Sequence, residues 1–122
     1  MAKKHKILVV DDERAIADTL AAILDSTFEV HIAYSGHQAL ETTALIEPDL
    51  VLSDVMMPDK NGLEVAAEIS QGFPNCKILL FSGSASTADL LLQARQSGKN
   101  WEIISKPVHP RDLLVKLDDL AA

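Results

Sequence analysis

The sequence lacks several features that define specialised classes of protein. It has 122 residues and one cysteine, Cys76, which excludes an intrachain disulfide and a zinc site built from cysteines. Its longest uninterrupted apolar run, residues 20–24, is far too short to span a membrane. Only four apolar residues follow the basic start before Asp11, so the hydrophobic core of a signal peptide is missing. We therefore expect a cytoplasmic protein with no membrane partner.

Positive charge is also scarce. The chain has 11 Lys and Arg against 18 Asp and Glu, which gives a net charge of −7 with neutral histidines. Because binding to nucleic acid needs clustered Lys and Arg, this balance argues against a direct nucleic-acid partner. The apolar fraction is nevertheless 48%, which is enough to fill a core, and the length is typical of one domain. We expect a single domain over residues 1–122.

Five apolar stretches have the length and composition of β-strands. Residues 7–10, 50–52 and 78–81 are short continuous runs of the kind found in strands that are buried on both faces. Residues 103–104 form a shorter fifth candidate. In residues 28–33 apolar and polar side chains alternate, which favours a strand at the edge of the sheet.

Segments of helical periodicity lie between and after these stretches. They cover residues 16–24, 39–46, 63–69, 90–94 and 113–120. Strand and helix thus alternate five times, which predicts an α/β fold: a doubly wound parallel sheet covered by helices on both faces. A closed eight-stranded barrel needs about 250 residues and is excluded by length.

Polar side chains stand where these strands end. Asp11 and Asp12 follow the first strand, Asp54 follows the third, Ser82 the fourth and Lys106 the fifth. Because the carboxyl ends of parallel strands share one edge of the sheet, we expect the five side chains to meet in one crevice. Taken singly, each has an ordinary structural interpretation as a helix cap, a turn residue or a surface charge.

Together, these residues favour phosphoryl chemistry. Three carboxylates in close proximity repel one another, and a hard divalent cation such as Mg²⁺ relieves that repulsion. A magnesium ion beside the ammonium of Lys106 would neutralise the oxygens of a phosphoryl group during its transfer. Asp54 lies centrally in this arrangement, so its carboxylate is the candidate nucleophile toward phosphorus.

The ordered set of motifs resembles the receiver domain of bacterial two-component response regulators, including the chemotaxis regulators. The motifs are VVDDE at 9–13, LVLSDVMMPDKNG at 50–62, FSG at 81–83 and SKP at 105–107, and the resemblance covers residues 6–121. It implies a flavodoxin-like (βα)5 fold with strand order 2-1-3-4-5. It also implies that a sensor histidine kinase phosphorylates Asp54 in a Mg²⁺-dependent reaction.

The resemblance assigns the metal ligands and the groups around the phosphoryl site. It implies that Asp12, Asp54 and the backbone carbonyl of Met56 bind the metal directly, whereas Asp11 acts mainly through metal-bound water. It further implies that Lys106 pairs with Asp54 before phosphorylation and with a phosphoryl oxygen afterwards.

It assigns switching and loop-shaping residues as well. The hydroxyl of Ser82 is expected to turn toward the phosphoryl group, which repacks the face made by the fourth helix, the fifth strand and the fifth helix for partner binding. Pro107 is expected to follow a cis peptide bond that directs the preceding lysine inward. Pro58 and Gly62 are expected to shape the loop after Asp54.

The chain departs from the family at one switch position. Many receivers carry an aromatic residue on the fifth strand that rotates inward, and the corresponding residue here is Ile103. Ile103 has no ring to rotate. Trp101 lies two residues earlier and is the alternative, although a partly exposed packing residue is the simpler interpretation.

Two other functions compete with a receiver. The first is a Mg²⁺-dependent phosphatase with an aspartyl nucleophile; such enzymes carry D-x-D after the first strand and a cap insertion, whereas here the two aspartates are adjacent. The second is an inert pseudo-receiver that serves only as an interaction module. As a receiver, the chain would not be an enzyme beyond its own phosphorylation and dephosphorylation. Its kinase, its downstream protein target, a phosphorylation-dependent homodimer, and whether it stands alone or is a piece of a longer regulator stay open at this stage.

Overall fold

The computed structural model describes residues 4–83, 89, 92, 95–96, 101–105 and 109–122. The described residues form five strands: β1 (Lys6–Val10), β2 (Glu29–Ala33), β3 (Leu50–Asp54), β4 (Lys77–Ser82) and β5 (Glu102–Ser105). They also form four helices with described ends: α1 (Arg14–Leu24), α2 (Gly36–Ile46), α3 (Gly62–Gly72) and α4 (Pro110–Ala121). The bounds of the helix predicted around residues 90–94 lie outside the described residues, and α4 is the fifth helix of the sequence prediction.

The strands form one parallel sheet in the order β2-β1-β3-β4-β5. This order confirms the doubly wound architecture, and β2 occupies an edge as its alternating pattern predicted. The chain runs outward from β1 to β2 and then crosses back to β3 on the other side of β1. The switch point of the topology therefore lies between β1 and β3, where ligands collect in such sheets.

The sheet is covered on both faces, and β1 shows how one strand serves both. Ile7 and Val9 point into the core cluster that includes α1 and α4, whereas Leu8 and Val10 point into the cluster that includes α2 and α3. All four side chains are fully buried. The continuous apolar run of β1 thus follows from the period-two alternation of a strand with helices on each side.

Three of the described helices, α2, α3 and α4, begin at residues that favour a helix start. The hydroxyl of Ser35 accepts a hydrogen bond from the N–H of Gln38 at the start of α2, and the side chain of Asn61 caps α3 in the same way. Pro110 is the first residue of α4, a position that needs no backbone N–H donor. Among the described residues, no helix is long and apolar enough to cross a membrane.

Candidate functional site

The register of β1 against β3 brings the first and third strand ends together. Val10 pairs with Ser53, so the residues that follow them, Asp11 and Asp54, lie side by side at the switch point. Asp54 in turn pairs with Phe81 of β4, which places Ser82 at the same edge of the sheet. The structure thus places Asp11, Asp54 and Ser82 at one edge of the sheet, at the strand ends where the sequence has them.

Asp11, Asp12 and Asp54 form a carboxylate cluster, in which one oxygen from each residue lies within 4.8 Å of the others. Asp11 is fully buried and Asp54 is 6% exposed, whereas Asp12 faces solvent. Like charges at this distance and burial disfavour one another, and a small hard cation offsets the repulsion. Oxygen donors in this number and of this charge fit Mg²⁺ or Ca²⁺ better than a soft metal, so the residues present suit the ion that the family implies.

Local backbone hydrogen bonds orient two of these carboxylates. Oδ1 of Asp11 accepts a hydrogen bond from the N–H of Glu13 at 2.9 Å, and Oδ1 of Asp54 accepts one from the N–H of Met56 at 3.2 Å. Both contacts span two residues, which is the geometry of an Asx turn. The turns that end β1 and β3 therefore also direct the two side chains.

The loop between β3 and α3 (residues 55–61, the β3–α3 loop) is closed by a tight contact at its ends. The N–H of Gly62 donates to the carbonyl of Val55 at 2.7 Å, and the N–H of Val55 donates to Phe81 of β4 at 3.1 Å. A Cβ on Gly62 would lie 2.9 Å from the Cα of Val55 and closer still to the carbonyl oxygen of Asp54. This close approach of two backbone segments accounts for glycine at position 62.

Asp59 joins the middle of the β3–α3 loop to the start of α2. Its Oδ1 accepts a hydrogen bond from the N–H of Gly36 at 3.0 Å, and its Oδ2 accepts one from the N–H of His37 at 2.9 Å. The imidazole Nδ1 of His37 lies 2.7 Å from the same Oδ2. The backbone N–H of His37, with the N–H of Gly36 and the imidazole, holds the pKa of Asp59 well below its usual range.

The other residues that the sequence analysis singled out lie on β4, on or next to β5, or outside the described residues. Ser82 is almost fully buried at the end of β4. Ile103 and Trp101 are half-buried and pack against the core cluster on the α2 and α3 face. Lys106 and Pro107, and with them the expected cis peptide, lie outside the described residues.

Met56 and Pro58 lie in the β3–α3 loop, where the side chain of Met56 is 47% exposed. Sequence reasoning gave no role to Asp59 or His37, because their contact joins segments that are far apart in the chain.

Away from this site, burial and the nearby Asp49 carboxylate raise the pKa of the Cys76 thiol to about 11. Cys76 is therefore protonated at neutral pH and adds no nucleophile.

Comparison with known proteins assigns the family. The chain matches the response regulator receiver domain over residues 7–118, which is most of its length. It belongs to the family of response regulator receiver domains, the signalling modules of two-component systems. The fold with strand order 2-1-3-4-5 is the flavodoxin-like fold of this family.

Solved structures agree with this assignment. A CheY-like response regulator receiver domain protein from Methanospirillum hungatei is 32% identical, with a TM-score of 0.87 over 98% of this chain and 94% of that one. The signal receiver domain of an HD domain-containing protein from Pseudomonas fluorescens is 29% identical, with a TM-score of 0.89 over 99% and 89%. The chemotaxis protein CheY4 of Vibrio cholerae is 27% identical, with a TM-score of 0.84 over 96% and 98%.

The contact at Gly62 predicts that Gly62→Ala destabilises the protein. The new methyl group would overlap the backbone at the end of β3, and we expect the free energy of unfolding to fall by about 1–3 kcal/mol. Gly72→Ala is the matched control, because a Cβ at Gly72 would meet no atom within 4 Å. Chemical unfolding of both variants should show a loss for Gly62→Ala and no loss for Gly72→Ala; equal midpoints would contradict the close contact.

The low pKa of Asp59 predicts a specific acid sensitivity. Because the folded pKa is depressed, the carboxylate contributes stability that is fully present above its unfolded pKa of about 4 and is lost as the pH falls below it. Asp59→Asn should therefore lose less unfolding free energy than the wild type when the pH drops below about 4. His37→Ala keeps both backbone donors and should retain most of the wild-type slope. Parallel curves for Asp59→Asn and the wild type would contradict the prediction.

Proposed function

We propose that the protein is a phosphoacceptor receiver in which Asp54 takes a phosphoryl group from a sensor histidine kinase with Mg²⁺ as cofactor. The observation that carries the proposal is the carboxylate cluster at the switch point of a receiver fold. Receiver domains in general interact with histidine kinases and downstream effectors. A related receiver domain, DrrB, which is 25% identical over 96% of this chain, has a BeF3-activated form.

In the proposed reaction, Asp54 is the nucleophile. A carboxylate oxygen of Asp54 forms the new O–P bond while the bond between phosphorus and the donor breaks. The donor atom, a histidine nitrogen of the kinase or the acetate oxygen of acetyl phosphate, keeps the bonding electron pair. The hydrogen bond from Met56 to Oδ1 supports this role, because it fixes the orientation of the carboxylate before the donor arrives.

Three groups are proposed to hold the metal. They are the carboxylates of Asp12 and Asp54 and the backbone carbonyl of Met56, with Asp11 acting mainly through water. When bound, the ion would neutralise charge that accumulates on the phosphoryl oxygens. The burial of Asp11 and its hydrogen bond from Glu13 support its place behind the direct ligands.

The output is proposed to begin at Ser82 and Lys106. Phosphorylation of Asp54 adds nearly two negative charges and strong acceptor oxygens at the sheet edge where Ser82 is buried. A move of Ser82 toward these oxygens, with Lys106 as the cationic partner, would shift the segment after β4. It would thereby repack the face formed by the helix predicted around residues 90–94, β5 and α4. Since Ile103 is the residue at the usual aromatic position, a rotating ring on β5 is not part of this proposal.

The partners follow from the same proposal. The kinase is the phosphoryl donor, and the phosphorylated face binds a downstream protein or a second copy of the chain. Similar structures include the signal receiver domain of an HD domain-containing protein and a structure described as an adenylate cyclase, so this fold is compatible with different outputs. The cytoplasm as the location and residues 1–122 as one domain stay predictions.

A phosphatase is less well supported by the described residues. Aspartyl-nucleophile phosphatases carry a cap insertion, whereas between β1 and β4 the described segments that join strands and helices are short. An inert interaction module is less well supported because the carboxylate cluster is complete. One assay separates the three functions.

Incubation with acetyl phosphate and Mg²⁺ should add one phosphoryl group, detected as a change in intact mass. The adduct should be absent from Asp54→Asn and from wild type treated with a chelator, because the acceptor or the cation is then missing. Asp25→Asn is the matched control, since it removes one exposed carboxylate at the end of α1 and leaves the cluster intact. This variant should be phosphorylated like the wild type.

Other outcomes identify the competing functions. Steady hydrolysis of acetyl phosphate without an adduct would support the phosphatase. Neither an adduct nor hydrolysis would support the inert module and overturn the proposal.

A further inference from the structure

The first turn of α2 is capped from two different parts of the chain. The local cap, Ser35, binds two of the first four N–H groups: its hydroxyl accepts from Gln38 at 3.1 Å and its carbonyl accepts from Ala39 at 3.0 Å. The other two, on Gly36 and His37, donate to the carboxylate of Asp59 in the β3–α3 loop. The N–H groups at the start of a helix need acceptors. Helix geometry does not require that an acceptor come from a residue 22 positions along the chain, as Asp59 is from His37.

The atoms around this contact are also closely packed. A Cβ on Gly36 would lie 2.7 Å from the Cβ of Lys60 and 3.1 Å from Cγ2 of Val65, so only glycine allows α2 to approach the loop. Asp59 is exposed as a residue, but its side chain is only 25% exposed, so the contact lies at the surface where the two segments meet. Lys60 is held in addition by an ion pair with Glu68 of α3 at 3.1 Å.

The loop that Asp59 holds directly follows the proposed reacting group and carries a proposed metal ligand. Asp54 ends β3, and Met56 follows it within the loop, three residues before Asp59. The contacts of Val55 and Gly62 close the two ends of the loop. Asp59 connects its middle to a helix on the face of the sheet.

We infer that Asp59 is a positioning residue for phosphoryl transfer: by binding the start of α2, it holds the β3–α3 loop so that the Met56 carbonyl and Asp54 form one cation site. This inference rests on the proposed function. It differs from a purely structural role, in which Asp59 would serve α2 as a second helix cap and the loop would keep its position without it.

Ser35→Ala separates the two roles. It removes a cap hydrogen bond from the same helix turn but touches neither the loop nor the carboxylate cluster. Asp59→Ala removes the loop contact as well as the cap. Asp59→Asn keeps one acceptor oxygen and is the conservative variant, which stays informative if the alanine variant unfolds.

The first measurement is the affinity of the unphosphorylated full chain for Mg²⁺, by titration calorimetry. Outer residues that orient metal ligands typically change affinity by 10–100-fold, so we expect Asp59→Ala to bind Mg²⁺ about 10-fold more weakly than the wild type. Ser35→Ala should bind like the wild type, and Asp59→Asn should lie between the wild type and Asp59→Ala.

The second measurement is the rate of phosphorylation by acetyl phosphate as a function of Mg²⁺ concentration. If Asp59 acts through the position of the metal ligands, Asp59→Ala should need more Mg²⁺ for half-maximal rate while its maximal rate changes less. Ser35→Ala should follow the wild-type curve.

Each failure has its own signature. Equal Mg²⁺ affinities of Asp59→Ala and Ser35→Ala would overturn the positioning role and make Asp59 a helix cap only. A wild type that binds Mg²⁺ but never acquires a phosphoryl group would overturn the proposed function, while the affinities would still decide the role of Asp59. A wild type that binds no Mg²⁺ would overturn both.

Discussion

The mutual repulsion of three carboxylates is the constraint around which this fold is arranged. Asp11 and Asp54 are held side by side by the register of β1 against β3, and Asp12 completes the cluster at the surface. Buried like charges are unfavourable unless a cation or a hydrogen-bond donor compensates them. The apolar sheet therefore supplies the stability that lets the chain keep a charged, metal-competent pocket at one edge.

The segments around this pocket are bound to one another through backbone contacts. The loop that follows Asp54 is closed by Gly62 at one end and joined to the start of α2 through Asp59. Gly36 and Gly62 both stand where a side chain would collide with neighbouring atoms. Phosphorylation of Asp54, as proposed, would therefore change the charge beside closely packed segments, which is what a phosphorylation switch requires.

Much of the fold could be predicted from the sequence because apolar runs stop where the polar strand ends begin. The strand predicted at residues 7–10 spans Lys6–Val10 in the structure, and the continuous apolar pattern correctly indicated burial on both faces. The order of the strands in the sheet could not be predicted in this way, because the pattern within one strand does not specify which strand lies beside it. The family resemblance supplied that order, and the structure confirms it.

The contact of Asp59 shows what local patterns omit. Its partners, Gly36 and His37, precede it by more than 20 residues, and no periodicity links the segments. The side chain of His37 is 66% exposed, as is common for a surface histidine, yet it also approaches the Asp59 carboxylate. Long-range contacts of this kind follow from the packing of α2 against the loop, which only the three-dimensional structure shows.

The most direct test of the account is a crystal structure of the protein grown with Mg²⁺ and beryllofluoride, which mimics a phosphoryl group. We expect beryllofluoride bound to Asp54 and a metal ion coordinated by Asp12, Asp54 and the Met56 carbonyl, with Asp11 nearby. A structure in which Asp54 carries no adduct and the carboxylates hold no ion would contradict it.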